Sequence, residues 1–387
     1  MSEILKILSR ELGANAIASG SDIGDKYAVD VSGENPHIPA AVILPRTTED
    51  VAAILKHCSA ARQPVVVQGG LTGLSGGATP QAGELALNLE RMSGIESLDP
   101  ASMTLTALAG TPLQVIQEAA REAGLLFPLD LGARGSCQLG GLIATNAGGT
   151  QVIRFGMTRN LILGLEAVLA DGTVISSMNR MLKNNAGYDL KQLFLGAEGT
   201  LGIITAAVLK LYPRPADVAT VFCAVAGARG ATAMLSRLRS ATGDGVTTFE
   251  YLNRACLDLV LEHIDATRDP FQARHGDYAL IELSSGREAA EAALAGAIEA
   301  GEALDAVIAE SGRQADELWR LRETIPEAQK HAGGAIKHDV SVPVSKIPGF
   351  LEAAEEKSLQ IIPGSRLVTF GHIGDGNIHY NLSPASD

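Results

Sequence analysis

Apolar positions in the first half of the chain follow the two periods expected of strands and helices. Residues 65–67 form a β-branched run that predicts a buried strand, and residues 41–45 predict another short strand before it. Thr47 and the acidic pair that follows it are typical of a helix start, so a helix is predicted between the two strands. Residues 2–19 also carry a helical pattern. The order of strand, helix and strand predicts an α/β unit at this end of the chain.

The pattern changes after Pro215, where we place a domain boundary. Strands and alanine-rich helices then alternate, which predicts a second α+β domain with a ferredoxin-like core. A helix over residues 313–332 and a strand over residues 338–344 are predicted to follow. The predicted domains are therefore residues 1–215 and 216–387.

Three segments rich in glycine and other small residues interrupt the first domain, at residues 69–77, 128–149 and 196–202. Glycine lets the backbone turn tightly and brings bare N–H groups close to a ligand, which suits a pyrophosphate. The first segment has neither the glycine spacing of a Rossmann loop nor the Gly-Lys-Ser/Thr of a P-loop, so a nicotinamide-binding Rossmann domain is disfavoured. A single loop of this kind is more often an ordinary turn. Because there are several, we predict that they form walls around one long ligand with a polar head.

The composition is that of a globular protein and narrows the set of partners. The chain has 387 residues, of which 46% are hydrophobic and 19% charged, which is enough for two domains with filled cores. Its net charge of −13 argues against nucleic acid or an anionic membrane as the main partner. We find no signal-peptide pattern and no apolar run of membrane-spanning length. Four scattered cysteines without a CxxC pair fit reduced thiols, which predicts a cytoplasmic protein.

Polar side chains are concentrated in the last predicted strand, in the sequence FGHIGDGNIHYN. His372 precedes the GDG turn, and the two-residue period of a strand puts Asn377, His379 and Asn381 on one face after it. Two histidines brought together across a turn can bind a divalent metal, but catalytic zinc sites use three protein ligands. Taken alone, these residues are explained equally well by a hairpin in which both histidines form hydrogen bonds and bind no metal.

Other candidate residues carry weaker signals. Arg322 and Lys337 suit a substrate carboxylate, since arginine offers a bidentate fork and lysine a point charge, although most such residues are solvated. Cys137 lies inside the second glycine-rich segment, where a packed small residue is a better reading than a reactive thiol. Residues 69–77 contain no histidine, which excludes a histidyl–flavin bond from that loop.

Taken in order, these segments resemble the vanillyl-alcohol-oxidase-type, or PCMH-type, FAD family. The closest resemblance is to its D-2-hydroxy-acid dehydrogenase branch, which includes D-2-hydroxyglutarate and D-lactate dehydrogenases and the glycolate oxidase D subunit. It covers nearly the whole chain through six motifs: QGGLTGLSGGA, DLGARGSCQLGGLIATNAGG, KNNAGYDLKQLFLGAEGTLGIIT, LWRLRETI, KHDVSVPV and GHIGDGNIHYN. The resemblance implies an α+β fold, with a two-subdomain PCMH-type FAD-binding domain followed by a ferredoxin-like substrate, or cap, domain.

The resemblance also implies an activity. A flavin-dependent enzyme of this branch oxidises a D-2-hydroxy acid, of the D-lactate or D-2-hydroxyglutarate type, to the 2-oxo acid by hydride transfer to flavin N5. The electrons would pass to an electron-transfer flavoprotein, a cytochrome or a quinone. A homodimer is compatible with the family.

Individual residues take expected roles from the same resemblance. Arg322, Lys337 and Asn381 would bind the substrate. His372 and His379 would be catalytic and would ligate a divalent metal, most often zinc. The residues expected to contact FAD are Gly69, Gly70, Leu71, Thr72, Gly73, Leu74, Ser75, Gly76, Asp130, Gly135, Ser136, Gly140, Gly141, Thr145, Asn146, Gly148, Gly149, Glu198, Gly199, Gly202, Ile203 and Asn377.

The sequence departs from the family pattern at two places. The family carries a Glu-His pair after the GDGN strand, as third metal ligand and general base, and this sequence reaches Asp387 without one. We therefore expect a C-terminally truncated chain, and the alternative to an active dehydrogenase is a truncated or non-catalytic FAD-binding subunit that needs a partner. Pro326 stands where hydroxyglutarate-type relatives carry a threonine that contacts substrate, which weakens a D-2-hydroxyglutarate assignment and leaves a shorter acid such as D-lactate open. A third reading, a structural metal-binding protein, predicts metal without flavin.

Overall fold

The computed structural model describes residues 2–384, which divide into two compact units. The first unit comprises Met1–Gly149 and Gly156–Arg214, and the second comprises Thr150–Phe155 and Pro215–Asp387. A six-residue segment of the N-terminal half thus belongs with the C-terminal unit.

Helices and strands alternate along both units. The helices are α1 (Glu3–Leu12), α2 (Thr48–Ala60), α3 (Leu113–Glu122), α4 (Leu139–Ala144), α5 (Val152–Phe155), α6 (Thr158–Leu161), α7 (Gly227–Ala241), α8 (Arg254–His263), α9 (Arg287–Glu299), α10 (Gly312–Glu323), α11 (Ile325–His331) and α12 (Ile347–Ile361). The strands are β1 (Ile17–Ala18), β2 (Ala41–Ile43), β3 (Val65–Gln68), β4 (Leu85–Asn88), β5 (Ile95–Asp99), β6 (Thr104–Leu108), β7 (Leu125–Leu126), β8 (Ile162–Val168), β9 (Val174–Ser177), β10 (Ile203–Lys210), β11 (Tyr212–Pro213), β12 (Ala219–Val225), β13 (Val246–Asn253), β14 (Asp277–Leu283), β15 (Ala303–Ile308), β16 (Ile336–Ser341), β17 (Arg366–Gly371) and β18 (Asn377–Ser383). Within the described residues, no helix has both the length and the apolar character needed to cross a bilayer.

The first unit contains two main sheets. One has four strands in the order β1-β2-β4-β3, with β2, β3 and β4 parallel and β1 antiparallel. The other has five antiparallel strands in the order β5-β6-β10-β8-β9. Helix α2 joins two of the parallel strands and begins with a capping box, in which the Thr47 side chain accepts from the Asp50 N–H and the Asp50 carboxylate accepts from the Thr47 N–H. The α/β prediction for this segment is confirmed, although residues 65–67 are half-buried where full burial was predicted.

Two predicted helices differ from the structure. The helix predicted over residues 2–19 ends before Gly13, whose φ of 85° is outside the helical region. The helix predicted over residues 313–332 is two helices that meet at Thr324. Pro326 lies in the first turn of the second helix, because proline has no N–H to continue the hydrogen bonds of the preceding helix.

The second unit is built on one seven-stranded antiparallel sheet, in the order β15-β12-β14-β13-β17-β18-β16. Its first four strands, with α7 and α9 as connections, form the ferredoxin-like arrangement, which confirms that prediction. Strand β16 lies at the sheet edge and begins two residues earlier than the predicted range.

Both faces of this sheet are covered by apolar side chains. One layer contains α7, α9 and the inward residues Phe249 and Tyr251 of β13. The other contains α8, α10 and α11 with Leu252 of the same strand. Alternate residues of β13 therefore face opposite layers, as the strand period requires.

The segment Thr150–Phe155 is part of this second core. Ile153 packs against the apolar layer that includes Phe249. A side-chain carbon at Gly374 would overlap the Cδ1 atom of Ile153 and lie 3.0 Å from its Cγ1 atom. Arg154 donates a hydrogen bond to the Ser284 hydroxyl. These contacts fix the segment on the second unit.

Candidate functional site

The three glycine-rich segments meet within the first unit. A Cβ atom at Gly70 would overlap the carbonyl oxygen of Ser136 and lie 2.8 Å from its carbonyl carbon, so the first and second segments are in backbone contact. The second segment contacts the third through the N–H of Glu198, which donates to the Ala144 carbonyl at 2.9 Å. The structure thus brings together segments that are far apart in the sequence.

Two further glycines permit equally close packing. A Cβ atom at Gly140 would lie 2.9 Å from that of Ala109, and one at Gly149 would overlap the Asp130 carbonyl oxygen. Burial raises the pKa of the Asp130 carboxyl, and this effect outweighs the opposite influence of Arg134, whose Nε lies 3.1 Å from it. Side chains at these glycines would separate the walls of the predicted site.

Three buried oxygen atoms beside the first glycine-rich segment have no hydrogen-bond partner within the described structure. They are Asp30 Oδ2, Gln68 Oε1 and Gln138 Oε1. A Cβ atom at Gly73 would lie 3.1 Å from the first, and one at Gly69 would lie 3.5 Å from the third. Unpartnered buried acceptors require donors, which a phosphate lacks and which ribityl hydroxyls and the N3–H of an isoalloxazine ring provide. The residues of this unit therefore fit a flavin dinucleotide.

Other residues expected to contact the cofactor have partners of their own. The Thr145 hydroxyl donates to the Gly141 carbonyl at 2.9 Å, and the Asn146 side-chain oxygen accepts from the Arg159 N–H at 2.9 Å. Asn146 also has a positive φ of 48°, which places it at a tight turn. Leu74 is 77% exposed. Their contact with FAD stays a prediction from the family resemblance.

In the second unit, Arg322, His372 and His379 gather around a buried glutamate. Glu250, at the centre of β13, has no exposed surface, and its Oε2 accepts from Arg322 Nε at 2.6 Å. Its Oε1 pairs with His372 Nδ1. The ring centroids of His372 and His379 are 6.0 Å apart. The Arg322 guanidinium lies 4.7 Å from the Phe370 ring, and the His379 ring lies 4.9 Å from the same ring.

His372 lies in a tight turn between β17 and β18. Gly371, with a φ of 148°, ends β17, and Gly376, with a φ of 91°, begins the return. A Cβ atom at Gly376 would overlap the Val342 carbonyl oxygen. Within the turn, the N–H of Asp375 donates to the His372 carbonyl at 3.1 Å. The glycines of the GDG motif therefore serve the turn and its packing against the next segment.

Burial and the local charges shift the pKa values of the two histidines in opposite directions. Burial would raise the pKa of Glu250, but Arg322 and His372 outweigh burial and lower that pKa to about 2. Burial would lower the pKa of His372, but the Glu250 carboxylate outweighs it, so the net shift is upward. Burial and then Arg322 lower the pKa of His379. His372 thus favours the protonated imidazolium, and His379 favours the neutral imidazole.

The remaining predicted residues of this unit lie on β16, at the sheet edge, and on its neighbour β18. Lys337 is exposed on β16, directly opposite Asn381 of β18. The Asn381 amide is buried and donates to Gln329 Oε1 at 3.0 Å. Asn377, expected to contact cofactor, donates to Asp339 Oδ1 at 2.7 Å. Asn381 thus links β18 to α11, and Asn377 links β18 to β16.

The described residues do not complete a metal site. Among them, no group of three or more histidine, cysteine, aspartate or glutamate side chains is arranged to hold a metal ion. His372 and His379 supply two imidazoles, and Glu250 is engaged by Arg322. Because a catalytic zinc site uses three protein ligands, no step of a reaction is assigned to a metal.

Glu250 is the site residue that sequence reasoning missed. It stands in VTTFEYLN, where Phe249 and Tyr251 on either side indicate a buried strand. A single carboxylate in such a strand requires a buried cation as a partner. This requirement could have identified Glu250 from the sequence.

Two protein families match the chain, one in each half. The family described as FAD binding domain matches residues 39–177, and the family described as FAD linked oxidases, C-terminal domain, matches residues 214–386. A D-2-hydroxyglutarate dehydrogenase of Xanthomonas citri pv. viticola is 40% identical over 348 residues, which cover 89% of this chain and 73% of that one. The chain belongs to the FAD-linked oxidase family. It carries the FAD-binding domain of that family in its first half.

The relatives of this FAD-linked oxidase are longer than the chain. The mitochondrial D-2-hydroxyglutarate dehydrogenase of Arabidopsis thaliana is 38% identical over 349 residues, which cover 89% of this chain and 62% of that enzyme. The chain thus spans less than two thirds of that relative.

A solved structure confirms the fold class. An alkyldihydroxyacetonephosphate synthase superposes with a TM-score of 0.75 at 15% identity, covering 99% of this chain and 80% of that one. At this identity the likeness concerns the fold, which is the α+β arrangement predicted from the sequence.

Proposed function

We propose that this FAD-linked oxidase oxidises a D-2-hydroxy acid to the corresponding 2-oxo acid. The observation that carries the proposal is the cluster of Arg322, His372 and His379 around Glu250. It joins a carboxylate-binding cation to two imidazoles inside a domain of the FAD-linked oxidase type. The curated relatives named D-2-hydroxyglutarate dehydrogenase support this class of substrate.

The side chains of the cluster suit different parts of such a substrate. The Arg322 guanidinium, held through Nε by Glu250, offers its terminal nitrogens to the substrate carboxylate. His379 has its Nδ1 3.3 Å from Asp339 Oδ1, so the neutral ring presents Nε2 as an acceptor for the hydroxyl proton. Bound FAD supplies the acceptor for the hydride from C2 at its N5 atom. The carbon thus loses a hydride and the hydroxyl loses a proton, which leaves the ketone.

The finer assignments are parts of the same proposal. Lys337 and Asn381 are proposed to line the substrate position beside Arg322. Zinc is proposed to bind His372 and His379 only where a third ligand joins them, because the described residues supply two. An electron-transfer flavoprotein, a cytochrome or a quinone is the proposed acceptor of the electrons. The four cysteines are buried thiols, which supports the proposed cytoplasmic location.

Two observations bear on the side chain of the substrate acid, and they favour different acids. The names of the relatives support D-2-hydroxyglutarate. Pro326, in the first turn of α11, has no hydroxyl for a second carboxylate, and this supports a shorter acid such as D-lactate. Both acids therefore belong in the test.

An anaerobic absorbance experiment tests the proposal. The purified chain is reconstituted with FAD, and the flavin band is followed after addition of D-lactate, D-2-hydroxyglutarate or the matching L-acids, with and without zinc. Bleaching by a D-acid and not by its L-form is the expected result. An oxidised spectrum under all conditions would instead favour a non-catalytic FAD-binding subunit, the alternative that the two-ligand histidine pair supports.

A further inference from the structure

Glu250 is the only carboxylate in the described part of β13, and the fold buries it completely. Removing a carboxylate from water is strongly unfavourable unless charged partners compensate. Both oxygens have such partners, and the partners come from two different elements: Arg322 of α10 and His372 of the turn after β17. The glutamate therefore joins two residues that lie fifty positions apart in the sequence.

The two contacts define which atoms face away from Glu250. A carboxylate only accepts hydrogen bonds, so His372 must carry its proton on Nδ1 and leave Nε2 directed elsewhere. Glu250 accepts a hydrogen bond from Nε of Arg322, and the Phe370 ring lies 4.7 Å from the guanidinium. The terminal nitrogens of Arg322 remain for another anion, since none of them has a hydrogen bond to another described residue.

We propose that Glu250 is a positioning residue that fixes the guanidinium of Arg322 and the tautomer of His372 for binding a D-2-hydroxy acid. The inference rests on the proposed function, because it assigns the fixed guanidinium of Arg322 to the carboxylate of that substrate. The alternative hypothesis is that the ion pair of Glu250 only stabilises the core and has no role in substrate binding. The two readings differ in what a neutral glutamine does.

Glutamine keeps the shape of Glu250 and removes one acceptor. Its oxygen can accept from Arg322 Nε, but its NH₂ group then faces His372 Nδ1 and can only donate. His372 must move its proton to Nε2 or turn away. A positioning role therefore predicts a change at the imidazole as well as weaker binding of the acid.

The test compares the FAD-loaded wild-type chain with Glu250→Gln after removal of metal with a chelator. It is run at a pH above the folded-state pKa of His372, where the ring is neutral and carries one proton. Imidazole nitrogen NMR reports the tautomer of His372, with the signal assigned by its loss in His372→Gln. Calorimetry measures the affinity for D-lactate and D-2-hydroxyglutarate. The expected result is a shift of the His372 proton from Nδ1 to Nε2, with at least about tenfold weaker acid binding, because an unfixed arginine loses a charge-assisted contact.

Glu302→Gln is the matched control. Glu302 accepts two hydrogen bonds from Arg237 at 2.8 Å each, so the variant also breaks a glutamate–arginine pair of the second unit. It should leave the His372 signal and the acid affinity unchanged. Glu250→Asp covers the case in which Glu250→Gln does not fold: it keeps the charge but is too short for both partners, and it should also weaken acid binding.

The outcomes separate the inference from the proposed function. If the wild-type chain binds neither acid, both the proposed function and the substrate role of Glu250 are wrong. If the wild-type chain binds an acid and the Glu250 variants bind it equally well with an unchanged His372 signal, only the positioning role is wrong.

Discussion

The backbone of Gly70 lies directly against the carbonyl of Ser136, and this contact joins two glycine-rich segments of the first unit. Gly70 has an ordinary φ, so an alanine here is excluded by space and not by backbone conformation. The additional carbon would push the first segment away from the second.

Gly70→Ala should therefore weaken FAD binding by about tenfold or more, since overpacking costs on the order of 1–3 kcal/mol. The flavin absorbance of the purified variant, and its titration with FAD, measure the effect. Gly132→Ala is the control, because a Cβ atom at Gly132 has nothing within 4 Å. Equal FAD affinity for Gly70→Ala and wild type would contradict this account of the site.

Ile153 and Gly374 form a contact within the second unit that can be tested by pairwise substitution. A Cβ atom at Gly374 would overlap Ile153 Cδ1, so Gly374→Ala should lower the free energy of unfolding by about 1–3 kcal/mol. Shortening Ile153 to alanine removes the overlapping atom. The double variant should then be more stable than the sum of the two single effects predicts.

Denaturant unfolding of the four chains measures this coupling. Additive effects would show that residues 150–155 do not pack against the GDG turn. The measurement thereby tests the assignment of this hexapeptide to the second unit.

Arg322→Lys should weaken acid binding although it retains the charge. Lysine has no Nε–H fork to hold Glu250 while it binds a carboxylate bidentately. We expect about tenfold weaker affinity for the preferred D-acid by calorimetry. Arg313→Lys, on the same helix but with 87% of its side chain exposed, should bind the acid like wild type. Full affinity in Arg322→Lys would argue against a role for the guanidinium.

The charges around Glu250 predict a pH dependence of stability. The pKa of Glu250 is lowered from 4.5 to about 2, so its contribution is fully present above pH 4.5 and is lost as the pH falls toward 2. The pKa of His372 is raised above 6.5, so its contribution is present below pH 6.5 and is lost as the pH rises through the folded-state value. Together they should be largest between pH 4.5 and 6.5.

Glu250→Gln removes both effects. The difference in unfolding free energy between wild type and this variant should reach on the order of 3 kcal/mol in that window and decrease on both sides. Urea unfolding at a series of pH values gives the curve. A difference that does not vary with pH would mean that the glutamate is not ionised beside its two partners.

The sequence by itself determined the local elements and the glycine-rich segments. Helix α2 follows from its capping residues, and α7 is one of the alanine-rich helices predicted after Pro215, because periodicity and caps are properties of neighbouring residues. The ferredoxin-like core followed from the alternation of strands and helices. The order of motifs was sufficient to place the chain near its family.

Only the tertiary structure decided which distant side chains meet. The pairing of Glu250 with Arg322 and His372 depends on strand order and on where α10 crosses the sheet. Neither can be predicted from the local periodicity of the sequence. The same holds for Ile153, whose neighbours in the sequence belong to the first unit while its side chain packs in the second. Local propensity acts over a few residues, whereas burial of charge and apolar surface is settled only when the whole sheet has assembled.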